Sequence, residues 1–159
     1  MTDTVDHVEA LIEETIEVAA PPARVWSLVS DLRRMSRWSP QVARTFVRGG
    51  GPVEKGSRMV NVNRRGLLVW PTQSKVIRFE PHREIAFRVK DNFTIWSFTL
   101  DESPSGGTRI TQRREAPDGV SEISRKLTNA VLGGVPSFQE ELRVGMRRTL
   151  ERIKADAEA

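Results

Sequence analysis

The stretch from Pro136 to about Ala155 limits the fold more than any other. Its apolar residues fall at Phe138, Leu142, Met146 and Ile153, with Val135, Val144 and Leu150 beside them. Most steps are three or four residues, which draws one stripe along a helix. Ser137 and Glu140 have the spacing of a capping box, and Pro136 suits a first turn whose N–H groups have no helical partner. Glu140, Glu141, Arg143, Arg147, Arg148, Glu151, Arg152 and Lys154 make the other, solvated face. Such a helix is roughly 30 Å long. It needs a broad apolar surface to lie on, and the residues from Glu9 to Glu115 read as that surface, a sheet.

Met1 to His7 is polar and reads as a flexible terminus, residues 1–7, before one domain over 8–156. The first strand falls within Val8–Val18. Pro21 opens a short helix that carries Val25, Trp26, Leu28 and Val29, and Asp31 is placed to cap a second, from Leu32 to about Arg37. Alternation then predicts strands at Val42–Arg48, Arg58–Asn63, Leu67–Phe79, Glu84–Lys90, Thr94–Asp101 and Thr108–Glu115. The breaks between them, such as Arg65-Gly66, Asp91-Asn92 and Ser103 to Gly107, have hairpin lengths, which predicts an antiparallel meander. Val120–Leu132 reads as a helical segment, and Gly133-Gly134 separates it from the final helix.

Several classes of function are excluded by residue content. The chain has no cysteine among its 159 residues, so disulfides and thiolate chemistry are absent. His7 and His82 are the only histidines and have no metal-ligand spacing, so neither a metal nor another cofactor is expected. No Ser–His pair has the setting of a nucleophilic triad. The 25 Lys and Arg are nearly matched by 21 Asp and Glu. The arginine doublets are scattered, so nucleic acid is not an expected partner. No apolar run is long enough to span a bilayer and no leader stands at the start, so stable membrane insertion is not expected and a cytoplasmic location is.

The order of strand, two short helices, six strands and a long helix comes with sequences that resemble a known family. The opening IEETIEVAAPPARVWSLVSDLRRMSRWSP, then PHREIAFRV, WSFTL, GGTRIT and the closing helix are similar to the START-like superfamily of polyketide cyclase/dehydrase and lipid-transport proteins. The likeness runs over about residues 11 to 155. It implies an α+β helix-grip fold: a curved seven-stranded antiparallel sheet wrapped around the long C-terminal helix, with two short helices between strands 1 and 2. It also implies a cavity between sheet and helix. Lipid carriers, aromatase/cyclases and proteins of other roles share this fold, so the likeness implies fold more firmly than function.

Strand phase nominates the lining of such a cavity. Trp70, Thr72 and Ser74 share one face of their strand, Phe87 a face of the next, Trp96 and Phe98 of the next, and Gln112 and Arg114 follow the phase of Ile110. Phe138, Leu142 and Met146 face them from the helix. Two readings are open: an aromatic-walled pocket with a few polar groups, or a filled core under the helix. Arg114 is the one candidate for chemistry, because an interior guanidinium needs an anionic or carbonyl partner. A single bulge would turn Arg113 inward instead. Trp38 stands either at one end of the cavity or as a plug between helix and sheet. Gly133-Gly134 is either a hinge for a lid or a plain turn. The carboxylates Asp31, Glu80, Glu84, Glu115 and Glu140 sit at element ends and read as caps or turn residues. The leading expectation is a binder of a hydrophobic small molecule, a lipid, polyketide or aromatic compound, acting as carrier or sensor. The alternatives are a polyketide aromatase/cyclase-like enzyme using Arg114, and an interaction protein; oligomeric state is not readable.

Overall fold

The computed structural model describes residues 9–117, 126 and 134–159. The expectations of a loose Met1–His7 and of a helical segment over Val120–Leu132 lie outside the described residues, as does the Gly133 half of the glycine pair. Seven strands form one sheet: β1 (Leu11–Val18), β2 (Val42–Val47), β3 (Arg58–Arg65), β4 (Leu68–Glu80), β5 (Glu84–Val89), β6 (Ile95–Glu102) and β7 (Thr108–Glu115). Their spatial order is β1-β7-β6-β5-β4-β3-β2, and every pair is antiparallel. The meander expected from the turn spacings accounts for β2 to β7, and β1 closes onto β7 from the far end of the sequence. Helix α1 (Pro22–Val29), a 3-10 turn (Leu32–Arg34) and helix α2 (Met35–Trp38) cross from one sheet edge to the other. The long helix α3 spans Val135–Glu158. The fold is therefore the α+β curved seven-stranded sheet with two short helices after the first strand.

Several local expectations are corrected. α3 begins at Val135 with Gly134 in the cap position at φ 91°, and no side chain caps it, so Ser137 and Glu140 lie inside the helix rather than forming a capping box. Glycine alone adopts that φ without strain. Asp31 makes no cap bond either; its carboxylate stands between Arg33 and Arg34 at 3.7 and 3.4 Å. The second helix is split, a 3-10 turn running into one α-turn. Val144 is 42% exposed, so the buried stripe of α3 runs instead through Leu142, Met146, Leu150, Ile153 and Ala157. The four steps between them are four, four, three and four, a closer match to 3.6 residues per turn.

The core is in two parts. The larger joins Val25, Trp26, Leu28 and Val29 of α1 to Ile85, Phe98 and Ile110 of the sheet and to Leu150 and Ile153 of α3. The smaller gathers Ile12, Leu142 and Met146, with Trp96 and Phe138 against them. α3 rests chiefly on β1 and more lightly on α1, α2 and β7. It leans toward one side of the sheet, and the inner faces of β3 and β4 are less covered.

Candidate functional site

Strand register puts the nominated side chains on one face. Phe87 stands opposite Trp96, Trp96 opposite Arg114, and Arg114 opposite Ile12. One row over, Phe98 stands opposite Gln112 and Gln112 opposite Glu14. Ile12 and Trp96 belong to the smaller core under α3, which fixes this as the inner face. On β4, Trp70, Thr72 and Ser74 stand opposite Asn63, Asn61 and Met59 of β3. The aromatic residues of that face therefore form a graded wall: Phe98 and Phe87 are buried, Trp96 and Trp70 only half-buried.

The polar groups of the wall divide into satisfied and unsatisfied sets. At the β2–β4 end, Thr45 Oγ1 donates to Asn61 Oδ1 at 2.8 Å, and Asn63 Nδ2 donates to Thr72 Oγ1 at 3.0 Å. In contrast Ser74 Oγ, Gln112 Oε1 and Arg114 Nε are buried and make no hydrogen bond. Buried polar atoms are nearly always paired, so three orphans on one face are a signal.

Arg114 is 3% exposed and therefore points inward, as the phase of Ile110 predicts. Its Nη2 reaches only Gln139 Oε1 at 3.3 Å and the Glu9 carbonyl at 3.5 Å. The Gln139 oxygen already accepts the Glu9 N–H at 2.8 Å. The Glu9 carboxylate, whose charge acts on the guanidinium, is engaged by Arg143. Burial accordingly lowers the Arg114 pKa; Glu9 opposes that shift and the Arg143 charge adds to it. No described carboxylate forms an ion pair with the guanidinium. Arg113, on the opposite face, pairs with Glu13 at 2.6 Å.

Trp38 is a bolt in the core. It is 1% exposed, and its Nε1–H donates to Asp156 Oδ2 at 2.7 Å, tying α2 to the end of α3. Phe138, Leu142 and Met146 do face the wall, against Ile12 and Trp96.

A separate cleft of about 810 Å³ opens between the β3–β4 turn and α3, and none of the twelve nominated residues lines it. Arg65 and Gly66 form one lip and Glu141, Val144 and Arg148 the other. Arg65 spans it, its Nε and Nη2 donating to the two Glu141 oxygens at 2.8 and 2.6 Å. The hydrogen bond to Glu141 raises the Arg65 pKa.

Sequence reasoning passed over Glu14, Asn61 and Asn63. Glu14 shares the phase of Ile16 and Val18 within one strand, which would have identified it; it lies 3.5 Å from Arg147 of α3. The asparagines alternate with Val60 and Val62, a weaker signal because β3 has no fully apolar phase. Among the described residues no three His, Asp or Glu side chains are grouped as they would be to hold a metal ion.

This sheet-and-helix architecture, with its aromatic inner wall, has known relatives. The chain belongs to the polyketide cyclase / dehydrase and lipid transport family, whose model matches residues 9–158. Solved structures agree on the fold. BexL, a di-domain ARO/CYC, superposes with a TM-score of 0.69 at 21% identity over 94% of this chain and 50% of its own. StfQ, the di-domain ARO/CYC of the steffimycin biosynthetic pathway, gives 0.72 at 14% identity over 94% and 50%. The KanY protein gives 0.71 at 16% identity over 96% of this chain and 100% of its own. This chain thus spans about half the length of the two di-domain proteins. Among curated protein sequences nothing matches it.

Proposed function

We propose that the protein binds a hydrophobic small molecule carrying an anionic or carbonyl oxygen, between the inner face of the sheet and α3, as a carrier or sensor. The observation that carries this reading is Arg114: a buried guanidinium beside Trp96 with, among the described residues, no carboxylate paired to it. Membership of a family described by polyketide and lipid chemistry supports the apolar part. An apolar body would lie along Trp70, Phe87, Trp96 and Phe98, and its oxygen would take the free Arg114 Nε–H. Ser74 Oγ–H and Gln112 would hold further polar groups. Such a ligand is oriented by one charge-assisted bond and retained by apolar contact.

Native mass spectrometry of protein purified without additives, followed by titration with an environment-sensitive apolar dye, tests this. A co-purified mass or saturable one-to-one dye binding is expected. A bare protein with no saturable binding would overturn it.

A second reading, an aromatase/cyclase-like enzyme, draws on the two ARO/CYC structures among the similar folds. Arg114 would then stabilise an enolate oxygen in a site shielded from water. Turnover of a poly-β-ketone that collapses in Arg114→Ala, with the fold intact, would favour it over carriage.

A further inference from the structure

The outer face of the sheet, away from α3, is two different surfaces. Toward β1, β7 and β6 its charges are matched in pairs: Glu13 with Arg113 at 2.6 Å, Glu17 with Arg109 at 2.7 Å, and Arg78 with Glu115 at 3.3 Å. Toward β2, β3 and β4 they are not. The Arg48 N–H donates to the Arg58 carbonyl, Arg58 stands opposite Lys75, and Lys75 stands opposite Arg88. Arg48, Arg58 and Lys75 thus stand side by side on neighbouring stretches of chain. Strands lie about 4.8 Å apart, so the row is roughly 10 Å long. Like charges directly opposite one another destabilise a sheet, so this row works against the protein's own stability.

Toward the β3–β4 turn the same face becomes apolar. Phe46 stands opposite Val60, and Val62 opposite Pro71. Cations return beyond them. The Arg44 guanidinium lies 4.9 Å from the Phe46 ring centre, and Arg64 stands opposite Val69. The turn itself ends in Leu67, 99% exposed. Among the described residues, Arg44, Arg48, Arg58, Arg64 and Lys75 form no ion pair with a carboxylate. Asp91, on the neighbouring turn, accepts the Gln73 N–H at 2.6 Å.

We infer that this face docks on an anionic lipid surface. The sign of the charge selects an acidic partner, and two such faces would repel, which rules out a second copy of the chain. Nucleic acid calls for rings on which bases stack, and the one ring here, Phe46, is covered by Arg44. An aliphatic band with cations at both ends instead suits a bilayer interface. The cations meet anionic headgroups, and Val69 and Leu67 reach the acyl boundary. Docking needs nothing of the interior site, so it stands or falls separately from ligand binding.

Co-sedimentation of the whole protein with vesicles decides the point. One set is phosphatidylcholine alone; the other is phosphatidylcholine mixed with phosphatidylglycerol. Binding is expected only to the second set, and salt should weaken it. Each cation near such a surface is worth about fivefold in affinity, so the triple variant Arg48→Gln/Arg58→Gln/Lys75→Gln should bind about 100-fold more weakly. Arg58→Gln and Arg109→Gln change the net charge equally, but only the first should lose affinity. Thermal unfolding of each variant monitors the fold. Absence of binding to the anionic vesicles, or equal losses for Arg58→Gln and Arg109→Gln, would overturn the inference. So would retention on an acidic peptide or nucleic acid alone.

Discussion

Replacing Arg114 with methionine should stabilise the ligand-free protein. A buried charge carries a desolvation cost that its partners must offset. Arg114 has two long bonds, at 3.3 and 3.5 Å, and no counter-ion among the described residues. Its Nε is orphaned, which alone costs about 1 to 3 kcal/mol. Methionine fills much of the same volume and takes no polar group inside. It strands little, because Gln139 Oε1 keeps the Glu9 N–H. The net gain is about 1 to 2 kcal/mol, and a domain of this size shifts by about 2 to 4 °C per kcal/mol. Thermal unfolding followed by circular dichroism should therefore show Tm rising by about 2 to 8 °C. The sign with pH follows from the lowered pKa. A base whose folded pKa is depressed is penalised wherever it is charged in both states, and the penalty fades only as pH climbs through the folded value toward the unfolded one. The gain should thus be full at neutral pH and shrink only in strong alkali. The same substitution should abolish the stabilisation given by a bound ligand. A fall in Tm on Arg114→Met would refute the reasoning, since it would mean that the guanidinium is compensated within the folded chain.

Trp38→Phe should cost about 2 kcal/mol, near the value of a hydrogen bond to a charged group, and lower Tm by about 4 to 8 °C in equilibrium melts; an unchanged Tm would show that the Asp156 bond is idle. Gly107→Ala should cost about as much, because an added Cβ would lie 2.4 Å from the Val18 carbonyl oxygen, and urea unfolding would register it as a lower midpoint. Glu141→Gln removes the ion pair with Arg65 across the cleft, a surface pair that contributes little to stability, so thermal unfolding should show Tm falling by no more than about 4 °C. Glu158 is held below its usual 4.5 by the Lys154 ammonium and the Ala19 N–H. Its contribution is present above the ordinary carboxylate range and lost as pH falls through the depressed value, so the Ala19 amide resonance should titrate with a midpoint below 4.5.

What the sequence disclosed depended on contrast between faces. β5, β6 and β7 alternate cleanly, and register confirms the shared face of Phe87, Trp96, Phe98, Gln112 and Arg114. The inward turn of Arg114 was open only because a bulge would have reversed it, and β7 has none. Bulges do occur where the pattern gave no notice, between Val42 and Arg44 and between Val76 and Arg78. The extra residue there lets Arg78 reach Glu84 and Glu115 on the outer face. Trp38 was ambiguous because its partner Asp156 is far along the chain, and no local pattern reports a contact of that kind. The cleft by Arg65 was illegible for the same reason: its lips come from a hairpin turn and a helix whose approach is set by tertiary packing. The row of Arg48, Arg58 and Lys75 was dispersed among arginine-rich segments and became a row only through register.

The closure of β1 on β7 also has a cost in time. Leu11 stands opposite Glu115, so the first strand to leave a ribosome waits for the last. At about 5 to 20 residues per second the wait is roughly 5 to 20 s. During it β2 to β6 can zip by local hairpins, but β1 lacks β7, its partner in the sheet, and α3, which rests chiefly on it. The nascent chain is then a partial sheet with an unpaired β6 edge, the sort of template on which strands from other chains add. Synthesis of β7, which pairs with both β6 and β1, is what ends that exposure.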